Sequence, residues 1–274
     1  MTSPFEPSRT AEIGVIGGSG FYDLAENLTE VKVGTPFGAP SDKIALGEVA
    51  GRKIAFLPRH AKSHTIPPHQ INYRANLWAL KSLGVKEIIT AHACGSLQKK
   101  IKPGHVVILD QFIDRTAARQ DTFYDGPTVT HVSTAFPYCP RLREHAVKIG
   151  KKTKLEVHPR GTVVVIQGPR FSSAAESSWF TQMGWDVINM TQYPEVALAR
   201  ELQICYSALA FATDYDSGIL LANKIKPVSA KEVMEVFGRN IGNAKRFILE
   251  MVRTWPTDGV PSCSCQKSLD EARF

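Results

Sequence analysis

Thr213-Asp214-Tyr215-Asp216 sets two carboxylates directly behind Tyr206 to Ala212, a run apolar enough for a central strand. Acids at such a strand end face a pocket or cap a following helix; here Gly218 and Pro227 delay the next helix. In a pocket they accept hydrogen bonds from an exocyclic amine, and a protonated one can hand a proton to a ring nitrogen. Arg59-His60, with His64 close behind, ends another apolar run. A guanidinium fork and imidazole donors suit phosphate, although a surface arginine with two loop histidines would read the same way. Ile16-Gly17-Gly18-Ser19-Gly20 ends a third run, where a glycine loop either offers backbone N–H groups and a hydroxyl to an anion or simply turns the chain. Phe21, Tyr22 and Asp23 follow without the G-x-G-x-x-G spacing that a dinucleotide loop needs.

These residues need strands that end together. Short, often β-branched runs predict strands over Ile13 to Ile16, Ile44 to Val49, Lys53 to Leu57, Glu87 to Ala91, Val106 to Leu109, Gly161 to Ile166, Asp186 to Met190 and Tyr206 to Ala212. Helical periodicity alternates with them over Asn72 to Leu83, Arg141 to Lys152, Ser173 to Met183, Pro194 to Gln203 and Ala230 to Thr254. This alternation predicts an α/β fold: a single domain with a central mixed, mostly parallel sheet flanked by helices on both faces. Ligands of such folds gather at the carboxyl ends of strands. Ser19, Arg59-His60, His92, Asn189 to Thr191, and Asp214 with Asp216 all fall there, so five strand ends are expected to meet at one pocket.

The 274 residues are 43% hydrophobic, enough for one large core. The domain is expected over 11–256, with loose tails at 1–10 and 257–274. No apolar run reaches the roughly 18 residues of a membrane span and the first residues lack a signal stretch, so a cytoplasmic protein without membrane partners is expected. The net charge of +7 is scattered along the chain and no nucleic-acid module is present, which argues against a nucleic-acid partner. Five cysteines leave at least one unpaired. Cys263 and Cys265 have no second Cys or His pair nearby in sequence, so no metal site is expected.

Taken together and in order, IGVIGGSGFYD, TPFGAPSD, LPRHAKSHTIPPHQINYRANLWALKSLG, ACGSL, DQFIDRT, QGPRFSSAAES, DVINMTQYPEVALARE and ATDYD resemble the 5′-methylthioadenosine phosphorylases of the purine nucleoside phosphorylase superfamily, from about Ile13 to Asp216. The resemblance implies phosphorolysis of 5′-methylthioadenosine to adenine and 5-methylthioribose 1-phosphate, with inorganic phosphate as co-substrate and no cofactor. It places Ser19, Arg59, His60, His92, Ala93 and Thr191 around phosphate, and Phe171, Ile188, Asn189, Met190, Asp214 and Asp216 around the nucleoside. Asp214 becomes the catalytic acid, and Ser172, Ala230, Val233 and Met234 the 5′ pocket. A homo-oligomer, a trimer or two stacked trimers, is implied, with His131 reaching a neighbour's 5′ pocket. A phosphorylase of 6-oxopurine or broader nucleosides, or a non-catalytic nucleotide-binding module, remains the alternative.

The chain departs from the family in two places. His92 stands where a small hydroxyl residue is usual, and Ala61-Lys62 where Gly-Arg is common. His92 either adds a donor or turns away and leaves the contact to backbone. Hyperthermophile versions of the family resemble this chain in carrying a Cys-x-Cys near the C-terminus and a pair matching Cys139 and Cys205, which implies Cys139–Cys205 and Cys263–Cys265 disulfides and Cys94 as a free thiol beside the phosphate loop.

Overall fold

The computed structural model of the chain describes residues 10–18, 26–221, 224–225, 227–256 and 263–273. In chain order the sheet strands are Ile13–Gly17 (β1), Glu26–Val31 (β2), Ile44–Val49 (β3), Arg52–Pro58 (β4), Glu87–Ser96 (β5), Val106–Ile108 (β6), Gln111–Arg115 (β7), Val157–His158 (β8), Thr162–Ile166 (β9), Val187–Asn189 (β10) and Cys205–Tyr215 (β11). The helices are Tyr73–Ser82 (α1), Pro140–Gly150 (α2), Ala174–Gln182 (α3), Gln192–Glu201 (α4) and Ala230–Arg253 (α5).

Every predicted strand and helix is present, within a few residues at its ends. The strands of this sheet absent from the sequence reading are β2, β7 and β8, whose residues ENLTEV, QFIDR and VH carry too little apolar alternation to announce themselves. β2 and β7 are edge strands, where one flank needs no apolar partner.

The sheet is mixed, in the order β2-β3-β4-β1-β5-β10-β9-β7, with β11 pairing β5 and β6, and β6 pairing β8. Side chains alternate across it with the strand period of two. Along β11, Tyr206, Ala208, Ala210 and Ala212 join the core beneath α1 and α4, while Cys205, Leu209 and Phe211 join the core beneath α2 and α5. Phe180 of α3 packs with Val164, Ile166 and Ile188 in a third cluster. Among the described residues, no helix is long and apolar enough to cross a membrane.

β5 creates the opening. β1 accompanies it in parallel only as far as Ile16 opposite Thr90, and β10 joins antiparallel at Gly95 and Ser96. Residues 91–94 lie between those two pairings, so the sheet splits beside His92, Ala93 and Cys94. β11 runs along the other side of β5, and the register slips between Ala212 and Asp214, leaving Thr213 as the extra residue of a bulge. A bulge re-aims the side chains beyond it. Asp214 thereby comes opposite Gly95, where a Cβ on the glycine would lie 3.3 Å from Asp214 Oδ2 and 3.0 Å from Ile188 Cγ2.

The C-terminal residues 263–273 are packed, not loose. Gln203 Nε2 donates to Gln266 O at 2.7 Å, Ser268 Oγ to Arg200 O at 2.6 Å and His131 N to Ala272 O at 2.8 Å. Two cysteine expectations need correction. All five cysteines are free thiols, so neither the Cys139–Cys205 nor the Cys263–Cys265 bond is present. The Sγ atoms of Cys139, Cys205, Cys263 and Cys265 instead converge, all within 4.8 Å of one another. The sequence argument against a metal also lapses, because Cys139 and Cys205 supply the second pair through the fold.

Candidate active site

A cavity of about 470 Å³ occupies the split in the sheet. Its walls include Arg59, His60, His92, Ala93, Phe171, Ser172, Ile188, Asn189, Met190, Thr191, Asp214, Asp216, Ala230, Val233 and Met234. The strand ends named by their polar residues therefore do converge. Ser19 lies outside the described residues, although its neighbour Gly18 lines the cavity. His131 is exposed and lies outside the cavity of its own chain.

Carboxyls gather at one end. Thr213 Oγ1 lies 2.6 Å from Asp214 Oδ1 and 3.2 Å from Cys94 O. Burial pushes the Asp214 carboxyl up to about 6, helped by the nearby charges of Asp216 and Glu232 and opposed by the Thr213 hydrogen bond. Asp216, buried, accepts from Ser172 Oγ at 2.5 Å, and burial raises its pKa as well. Ser172 is held by the start of α3, where a capping box joins Ser173 and Glu176 and Arg170 grips Glu176 through two 2.8 Å contacts. Burial also raises the Cys94 thiol, which makes it a poor nucleophile despite its place in the wall.

Nitrogen donors gather at the other end, around an ion pair that the sequence did not reveal. Arg59 is 2% exposed; its Nε and Nη2 donate to Glu195 Oε2 at 2.7 Å and Oε1 at 2.9 Å. Burial pulls the guanidinium pKa down, but the charge and hydrogen bonds of Glu195 outweigh it and hold it above its ordinary value. Nη1 donates to Ala91 O at 3.2 Å, and Nη2 also meets His92 Nε2 at 3.3 Å. A guanidinium has five N–H groups, so these four contacts leave one on Nη1 unassigned among the described residues.

The His92 ring is packed into the wall with both nitrogens taken by protein groups. Nε2 meets Thr90 Oγ1 at 2.9 Å as well as Arg59, and Nδ1 meets Thr191 Oγ1 at 3.0 Å. Burial drives its pKa well below 6.5, with Arg59 adding to the shift, so the ring is neutral. Arginine can only donate; Nε2 must therefore accept and Nδ1 carries the proton, which it gives to Thr191 Oγ1. That leaves the Thr191 hydroxyl proton free to point elsewhere. His60 is neutral too, lowered to about 4 mainly by burial, and its Nδ1 donates to Ile66 O at 2.8 Å. Its ring stacks on His64 at 4.5 Å between centroids.

The Ala61-Lys62 departure leaves the cavity wall intact. Lys62 pairs with Glu30 at the surface, and Ala61 adopts φ 61, a left-handed conformation that suits glycine. Ala61→Gly should raise stability by up to about 1 kcal/mol, read from a urea midpoint; a loss would show that the Ala61 side chain is needed.

Sequence reasoning also missed Arg119, which supports the nucleoside end from outside. Its Nη2 donates to Met190 O and Gln167 O, both at 2.9 Å, fixing the turn beneath the nucleoside wall. Gly168, at φ +64, admits the Met190 side chain, because a Cβ there would lie 2.7 Å from Met190 Sδ. A charged residue within DQFIDRTAARQD was the available signal for Arg119, and an acid next to the apolar Val196 to Ala199 stretch of the Pro194 to Gln203 helix was the signal for Glu195.

The chain that builds this cavity is similar to known phosphorylases over nearly its full length. The chain is 49% identical over 263 residues to S-methyl-5′-thioadenosine phosphorylase of Thermofilum pendens, covering 95% of this chain and 98% of that one. It is 47% identical over 267 residues to a purine nucleoside phosphorylase of Streptomyces coelicolor, covering 94% of each. Methylthioadenosine phosphorylase of Schistosoma mansoni, solved with adenine, superposes with a TM-score of 0.87 at 35% identity over 96% of this chain and 99% of that chain. The Phosphorylase superfamily model matches residues 12–253, nearly all of the folded domain, and with these relatives it establishes that the chain belongs to the phosphorylase superfamily.

Proposed function

We propose that this chain uses inorganic phosphate to cleave the N-glycosidic bond of 5′-methylthioadenosine, giving adenine and 5-methylthioribose 1-phosphate. One observation carries the reading: a carboxyl raised to about 6 stands in the same cavity as a donor set centred on a buried arginine. Adenine offers N6–H donors and a basic N7, which suit Asp214 and Asp216, whereas a 6-oxopurine would set an acceptor against them.

As C1′–N9 lengthens, positive charge grows on the sugar and negative charge on the base. Protonated Asp214 donates to N7 and relieves the base. Phosphate stabilises the sugar cation and then bonds C1′ from the opposite face. The proton gained by the base is balanced by the one phosphate loses on forming its ester. The unassigned Arg59 Nη1–H and the Thr191 hydroxyl donate to phosphate, as would Ser19, and neutral His60 offers Nε2 to the phosphate hydroxyl. Because Glu195 already balances Arg59, the anion is held mainly by directed donors, which preserves its nucleophilicity. Phe171, Ile188, Asn189 and Met190 flank base and ribose, while Ser172, Ala230, Val233 and Met234 form the 5′ side. No organic cofactor enters this reaction.

A homo-oligomer, a trimer or two stacked trimers, completes the 5′ end, with His131 supplied by a neighbour. Met234 at the cavity wall is 52% exposed in the single chain, and Val129 and Phe136, on the same connection as His131, are 56% and 81% exposed. Such burial-ready apolar side chains favour an interface. The reaction uses small soluble substrates, in keeping with a cytoplasmic enzyme.

Free-base release from methylthioadenosine, adenosine and inosine, with and without phosphate, tests the reading. Adenine release should require phosphate and favour methylthioadenosine. Equal cleavage of inosine would support a broad purine nucleoside phosphorylase, and no release from any substrate would support a binding module. His92→Leu should raise the phosphate KM about tenfold with little change in the nucleoside KM, because Thr191 loses the donor that orients it. Equal changes in both would assign His92 to general packing.

A further inference from the structure

The four converging cysteines lie at the opposite end of β11 from Asp214, about 30 Å away at the usual strand rise, and the proposed reaction makes no use of them. Cys139 precedes α2 as its N-cap residue, Cys205 opens β11, and Cys263 and Cys265 come from the C-terminal segment. Cys139, Cys205 and Cys265 are 0%, 0% and 2% exposed. A disulfide would bring two sulfurs to about 2.05 Å, whereas sulfurs bound to one tetrahedral zinc at about 2.3 Å lie about 3.8 Å apart. Cys205 Sγ and Cys263 Sγ are 3.6 Å apart, and all four sulfurs fit within 4.8 Å.

We propose that Cys139, Cys205, Cys263 and Cys265 form a tetrathiolate zinc site that clasps the C-terminal segment to the domain. Four sulfurs with no open position describe a structural site, and thiolate softness favours zinc over magnesium or calcium. Zinc displaces the thiol protons to solvent, leaving a net charge of −2 on the centre. Two features moderate that charge: the N-terminus of α2 at Cys139, and the positive charge of Arg200, which acts on Cys265. The clasp reaches further than its ligands. Residues beyond Cys265 bond Gln203, Arg200 and the His131 backbone, and Thr130 bridges Arg273, so the metal braces the 130–131 connection through the tail.

The test uses full-length protein isolated anaerobically from zinc-replete cells. One zinc per chain is expected, with five free thiols after denaturation in chelator. Replacing zinc with cobalt(II) should give the intense visible bands of tetrahedral sulfur coordination, displaced by one equivalent of zinc. Cys265→Ser should weaken zinc binding on the order of 100-fold or more and distort those bands, while Cys94→Ser leaves them unchanged. One or three free thiols in the denatured chain would reveal disulfides and overturn the site. So would five thiols with neither zinc nor a cobalt spectrum, an outcome readable on the wild-type chain even if the Cys265 variant does not fold.

Discussion

Glu195→Ala should cost about 3–5 kcal/mol of folding stability, the usual penalty for stranding one member of a buried ion pair. Glu195 is fully buried and Arg59 nearly so, and two hydrogen bonds join them, so the variant leaves a guanidinium with no counter-charge in the core. Tyr206 makes the loss larger, because its hydroxyl donates to Glu195 Oε1 at 2.6 Å and would lose that charged acceptor. Urea unfolding measures the effect, and added phosphate should restore part of it by supplying the missing anion beside Arg59. The double variant Arg59→Met, Glu195→Leu should recover much of the stability, since an apolar pair removes both buried charges, yet abolish phosphate use. A single-variant loss below about 1 kcal/mol would mean that Arg59 finds its counter-charge elsewhere.

Asp214→Asn should lower kcat/KM for methylthioadenosine by about 10²–10⁴, the range for losing a positioned acid, and move preference toward 6-oxopurines because an amide can donate to O6. The same substitution should stabilise the protein near neutral pH. Asp214 titrates at about 6 in the fold against 3.8 ordinarily, so the fold favours its neutral form. Stability from that preference is complete below 3.8 and is lost as pH rises through about 6, where the folded chain must bury a charge that the unfolded chain leaves in water. Asparagine carries no such term. The variant's Tm advantage should therefore be small below 3.8, grow across the window up to about 6, and level off above it. A Tm difference independent of pH would show that Asp214 ionises as freely in the fold as in water.

The strands and helices that build this site were legible because they obey local rules. Ile13 to Ile16 and Tyr206 to Ala212 are apolar on both faces and become the strands flanking β5, with glycine or acid marking where each ends. The polar residues at those ends had to meet, since carboxyl ends of neighbouring parallel strands open on one edge. The stripe of α5 was also legible, although its two halves serve differently. Ala244, Phe247, Ile248 and Met251 are buried on the sheet, whereas Ala230, Val233 and Met234 leave the core and wall the cavity.

Pairings between distant residues were not legible. Arg59 and Glu195 lie 136 positions apart, and the sequence near Arg59 shows no acid that would balance it. His92 reads from sequence as a departure; only the fold sets its ring between Thr90, Arg59 and Thr191 and thereby fixes its tautomer. Cys139 and Cys205 became neighbours of Cys263 and Cys265 because β11, the start of α2 and the C-terminal segment meet at one end of the sheet. Residue types and local periodicity determined which chemistries this chain contains and which elements carry them. Which charge neutralises which, which donor is left over and which sulfurs face one another were decided by packing, because those energies depend on distance through space and on the exclusion of water.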